Sequence, residues 1–150
     1  MQKARTVLYA INADPLLAVS SRAVGFLAQK QFPPGIAGRP AGPLFGEQLA
    51  LSLPLLNGDP LLEPELPNGI TIFPGGFPLY RDGVLVGAIG VSGDGIEHDD
   101  LIAVSGAVGW HPPASLRADS AFVRGVRLPY AKFPRDAELR REVRPITPGP

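Results

Sequence analysis

Residues 69–109 read GITIFPGGFPLYRDGVLVGAIGVSGDGIEHDDLIAVSGAVG, with strand, turn and helix signals in unbroken succession. Ile70 to Phe73 is a short β-branched and aromatic run closed by Pro74-Gly75-Gly76, after which Phe77 to Tyr80 resumes and Arg81-Asp82-Gly83 ends it. Asp-Gly between two apolar runs predicts a hairpin, because glycine accepts the positive φ that such turns require. The return strand, Val84 to Ser92, is apolar on both faces, and Gly87 and Gly90 leave room for a close backbone approach. It therefore reads as a central strand, with Ile70–Phe73 beside the hairpin. Ser92-Gly93-Asp94-Gly95 ends the strand, and Glu97, Asp99 and Asp100 fall in the first turn of a helix running to Gly106, where carboxylates complement the helix dipole.

A strand, a Gly-rich bend and a helix N-terminus place successive backbone N–H groups where an anion can be held. The same spacing describes a tight turn with no ligand, and three carboxylates beside it repel an anion.

Working outward, Lys3 to Ile11 is a short helical or extended segment. Asp14-Pro15 resembles an N-cap followed by proline at the first helical position, opening an apolar helix to Ala28 that Ser20-Ser21 interrupts. Phe32 to Pro43 is a Pro/Gly-rich loop carrying apolar anchors. Leu44 to Leu56 reads either as a short helix that Pro54 ends or kinks or, from the spacing of Leu49, Leu51, Leu53 and Leu55, as an extended segment, and Asn57-Gly58-Asp59-Pro60 turns the chain. Beyond Gly109, Trp110-His111-Pro112-Pro113 breaks the helix and Ser115 or Asp119 caps a short turn. Phe122 to Leu128 then alternates like a strand, and Asp136 to Arg144 is a charged helix or a solvated tail.

At 150 residues and 45% hydrophobic content the chain suits a single domain with a real core, 1–150, whose recognisable centre 69–109 is flanked by Pro-rich arms 31–68 and 110–150. Its 18 Gly and 18 Pro without a simple repeat indicate long ordered loops around a small α/β centre. Fourteen basic residues balance fourteen acidic ones, which removes any electrostatic reason to expect nucleic acid. The absence of cysteine excludes disulfides, thiolate catalysis and Cys-ligated metal sites. No apolar run approaches the roughly 20 residues that span a bilayer, and no basic region precedes an apolar signal core, so a cytoplasmic location is the expectation.

Three segments taken together, Pro74 to Gly83, Val86 to Gly93 and Glu97-His98-Asp99, resemble the GlcG/HbpS-like haem-binding or haem-degrading family, which includes the C-terminal domain of PduO. Lys3-Ala4-Arg5-Thr6 resembles the end of a helix found earlier in that family. The resemblance implies an α/β (α+β) fold, a mainly antiparallel sheet with packed helices and long Pro/Gly-rich loops. It also implies that a first helix and hairpin usual in the family are missing before Lys3. A sheet short of two strands then leaves an edge to be paired. Either a homo-oligomer or a second protein chain completes it by β-augmentation, or the chain's own N-terminal segments do. The aromatic and apolar anchors Phe32, Ile36, Trp110, Phe122, Tyr130 and Phe133 are expected to wrap over a neighbouring surface.

Haem is the cofactor that the resemblance implies, held near the Gly-rich bend or at a subunit interface. The candidate residues are His98, Glu97, Tyr80, Gly93 and Gly95. His98 reads either as a solvated first-turn residue or as a ligand. Tyr80 and Tyr130 read either as packing residues or as oxygen ligands of ferric haem. His98 and His111 are the only histidines, so no His-rich metal site exists within one chain. No catalytic residue is named, because the nucleophile elbow, the dinucleotide fingerprint and the P-loop are all absent. The functional expectation is a haem-binding or haem-handling module. Its alternatives are a non-catalytic structural or interaction subunit of a larger assembly, and a small-metabolite enzyme or accessory protein.

Overall fold

The computed structural model describes residues 1–14, 16–59 and 63–132, so Phe133 and the charged segment 136–144 lie outside the described residues. Four helices and two antiparallel pairs follow in order: α1 (Gln2–Ala13), α2 (Ser21–Leu27), α3 (Phe45–Asn57), β1 (Gly76–Arg81), β2 (Val84–Gly90), α4 (Ile96–Gly106), β3 (Phe122–Val123) and β4 (Val126–Arg127). The class is the expected mixture of helices packed on antiparallel strands.

The β1–β2 hairpin forms where Asp82-Gly83 places it. Both turn residues sit at positive φ, 51° and 77°, which matches the twist of the flanking strands. Gly76 pairs with Gly90, Phe77 with Ile89 and Pro78 with Ala88, with an irregularity between Leu79 and Tyr80. Gly76 N donates to Ser21 Oγ at 2.8 Å and Tyr80 N to Trp110 O at 2.8 Å, so alternate N–H groups of β1 point away from β2. Pro78 lies midway between them, where its missing donor removes no ladder bond.

The expected strand at Ile70–Phe73 does not form. Thr71 N donates to Thr6 Oγ1 at 2.9 Å, and the Ile72 carbonyl presses onto Gly25, so this segment spends its polar groups on α1 and α2. Nor is Val84–Ser92 a central strand. It ends at Gly90, belongs to a two-stranded sheet, and leaves Val84 64% and Val86 54% exposed. Leu85, Ala88 and Ile89 pack against the core, so a run that is apolar on both faces in sequence is covered on only part of its surface.

Val7 and Ile11, one turn apart and buried, settle α1 as a helix. Ser20-Ser21 begins α2 rather than interrupting a longer helix, because the Ser20 hydroxyl accepts from Ala23 N at 3.2 Å and caps it. Before it the chain is extended, with Ala18 N donating to Leu116 O at 2.7 Å and Ala118 N to Ala18 O at 3.0 Å. Pro54 lies inside α3, which continues to Asn57 and closes on Gly58 at a φ of 74°. Phe122–Leu128 is a tight hairpin, not one strand, since Arg124 and Gly125 both take positive φ.

Phe77, Val7, Val24, Leu128 and Tyr130 form the centre of the core, and the Phe77 and Tyr130 rings meet edge to face at 5.3 Å. Phe32 and Tyr130 are thus buried in this chain's own core rather than reserved for a neighbour, whereas Ile36, Trp110 and Phe122 stay exposed.

Candidate functional site: the Gly-rich bend and the first turn of α4

Helix α4 starts after Gly95, whose φ of 97° turns the chain from β2 into the helix. Of the four residues after Ile96, Asp99 and Asp100 are buried while His98 faces solvent, a division that the 3.6-residue repeat produces. Asp99 turns inward, where Lys3 Nζ donates to its Oδ2 at 2.7 Å and to Val91 O at 2.8 Å, while Gly93 N donates to its Oδ1 at 2.9 Å. The bend therefore does cradle an anion, and the anion is the chain's own carboxylate. Its pKa is held below the usual carboxylate range, chiefly by the Lys3 hydrogen bond and then by the lysine's charge and the Gly93 and Asp94 N–H groups, against an opposing effect of burial.

Asp100 is also buried, at 2% exposure, and its Oδ2 accepts from Arg22 Nε at 3.0 Å and from Lys132 N at 3.0 Å. Glu97, three residues before Asp100 and on the same face, receives Arg22 at 3.3 Å and Lys132 Nζ at 3.1 Å. Burial raises the Glu97 pKa, but the Lys132 and Arg22 contacts outweigh it and the net shift is downward. These acids do more than face the helix dipole: Asp99 ties α4 to the start of α1, and Asp100 and Glu97 tie it to α2.

His98 points outward, 64% exposed in its side chain, with Nδ1 3.1 Å from Asp94 Oδ2. Its Nε2 has no protein partner among the described residues. A Cβ placed at Gly93 or Gly95 would meet nothing within 4 Å, so the bend itself is open. Tyr80 is buried in β1, and burial raises its pKa, which keeps the phenol protonated. Tyr130 is a core residue beneath the Arg117 guanidinium, its pKa likewise raised by burial. His111 is half-buried in the segment after α4. The structure thus gathers His98, Glu97, Gly93 and Gly95 at one bend and places Tyr80 inside the sheet.

Sequence reasoning missed Lys3 and Arg22. A signal existed for Lys3: Val7 and Ile11 follow it at i+4 and i+8, so it lies on the buried face of α1, and a cation there requires a carboxylate. Gly75 completes the same cluster. At a φ of 111° it passes so close that a Cβ would lie 2.9 Å from both Asp99 Cβ and Lys3 Nζ. Lys3, Gly75, Gly93 and Asp99, scattered over much of the chain, meet at one point.

Comparison with known proteins bears on the same residues. The family model described as haem degrading protein HbpS-like matches residues 2–108, which include α1, the hairpin and α4. The corrinoid adenosyltransferase PduO of Salmonella typhimurium is 45% identical over 42 residues, a stretch that makes up 28% of this chain and 12% of that protein. The chain therefore corresponds to a small part of that relative's length. No solved structure matches.

Proposed function

The chain belongs to the family of HbpS-like haem-degrading proteins, and on that premise we propose that it binds or handles haem at the Gly-rich bend, with His98 as the iron ligand. The observation that carries this reading is the Asp94–His98 pair. A carboxylate on Nδ1 fixes the ring and its tautomer and leaves the Nε2 lone pair for a metal, the arrangement that metal-ligating histidines use. Gly93 and Gly95 leave the bend before the helix open, and Glu97, the sequence neighbour of His98, is held by Arg22 and Lys132. Bound haem supplies a redox-active iron. The chain's own contribution is to hold that iron by one imidazole and to orient the ring through Asp94.

Haemin titration of the intact chain, followed in the Soret region, tests the proposal. Saturable binding is expected, lost in His98→Ala, weakened about 10- to 100-fold in Asp94→Asn, and unchanged in Tyr80→Phe. A flat titration of the unmodified chain, or a His98→Ala variant that binds as well as its parent, refutes it.

A second reading has its own observation. The outer edge of β2 has no partner strand among the described residues, and Val84 and Val86 are exposed beside it. This favours a subunit of an assembly, a role compatible with haem binding.

A further inference from the structure

Residues of α1, α2 and α3, with Leu17, Ile70 and Val123, line a cavity of about 300 Å³, the lower end of the range in which small ligands are bound. Its walls are mainly aliphatic, from Ala10, Leu17, Val24, Leu27 and Leu44. Polar groups enter it at few points. The Tyr9 hydroxyl donates to Glu47 Oε1 at 2.9 Å, which leaves Glu47 Oε2 without a protein partner among the described residues. Asp14 adds a second carboxylate, one of whose oxygens accepts from Leu16 N at 3.1 Å. Among the described residues, no lysine, arginine or histidine lines the cavity.

We propose that this cavity is a binding site for a small monocationic amine with an apolar body, its ammonium on Glu47 and its hydrocarbon part among the aliphatic walls. The charge balance carries the choice of ligand. A carboxylate at an apolar wall with no cation beside it attracts a cation and rejects an anion, and in a partly desolvated site that discrimination is stronger than in water. Tyr9 supports the same polarity, since burial and the hydrogen bond to Glu47 push its pKa up to about 12 and keep the phenol a neutral donor at physiological pH. The acidic lining also separates this cavity from the haem proposal, because it offers no imidazole to iron and no cation to a propionate.

Isothermal titration and thermal shift of the full chain with benzylamine, benzyl alcohol and benzoate distinguish the possibilities. Benzylamine is expected to bind and to raise Tm, benzyl alcohol to bind at least about tenfold more weakly for want of the charge-assisted bond, and benzoate not at all. Glu47→Gln, which keeps an acceptor for Tyr9, should weaken benzylamine by about tenfold. Ala10→Phe, which fills the cavity, should abolish binding while the circular dichroism of the parent is retained. Equal affinity for the amine and the alcohol, an unchanged Glu47→Gln variant, or no binding of benzylamine overturns the proposal.

Discussion

Asp99 shows how one side chain joins three separate parts of this sequence. Its two oxygens take a lysine from α1 and a backbone N–H from the bend, and it is only 4% exposed. Because its folded-state pKa lies below the ordinary value of 3.8, it contributes stability that is present above that pH and is lost as pH falls through the depressed value. Melting temperatures recorded from pH 7 down to pH 2 should therefore show an acid limb below about pH 4. Asp99→Asn, which keeps the volume and removes the charge, should melt lower at pH 7 and show a shallower acid limb. A variant whose melting curve parallels its parent throughout would assign the acid limb to other carboxylates. The residue was visible in sequence only as one of several acids at a helix start, since nothing local says which of consecutive carboxylates turns inward. That is decided by Lys3, 96 residues away.

Among the elements, α2 departs from its local sequence pattern for a reason that lies far away in the chain. Leu16 to Ala28 has enough apolar residues for a long helix, yet the stretch before Ser20 is held extended by Leu116 and Ala118, partners that no local pattern announces. The hairpin and α4 were legible because Asp82-Gly83 and Gly95 determine backbone conformation within a few residues of themselves. Gly25, inside α2, is there for contact: a Cβ would overlap the carbonyl oxygen of Ile72. Gly25→Ala should therefore destabilise by about 1–3 kcal/mol or more, since the neighbour that must yield is backbone. Gly46, in α3 with nothing within 4 Å of a Cβ, is the contrasting case. Gly46→Ala should stabilise by roughly 0.5–1 kcal/mol through helix propensity. Urea unfolding of the two variants checks both signs at once; two substitutions with the same sign would show that contact does not distinguish these glycines.

For the whole molecule, the question is what the hairpin does with its free side. The outer edge of β1 is partly closed by the Tyr80–Trp110 and Gly76–Ser21 bonds, but β2 has no such cover among the described residues. An edge of this kind is a template for another strand unless charge or proline blunts it, and Val84, Val86 and Gly87 supply neither. Lone two-stranded hairpins are also marginal in water, so the packing of α1 and α4 on this one leaves the free edge as the natural place for further pairing. We expect a second copy of the chain to pair there, β2 against β2 about a two-fold axis, because an antiparallel isologous contact centred near Leu85 sets Val84 of each copy opposite Val86 of the other. Sedimentation at micromolar concentration should give a species heavier than the 15.8 kDa chain. Val86→Lys, a change on an exposed side chain that leaves the core alone, should return the species to a folded monomer. A parent chain that sediments as a monomer refutes the pairing, and an oligomer that survives Val86→Lys intact moves the interface away from β2.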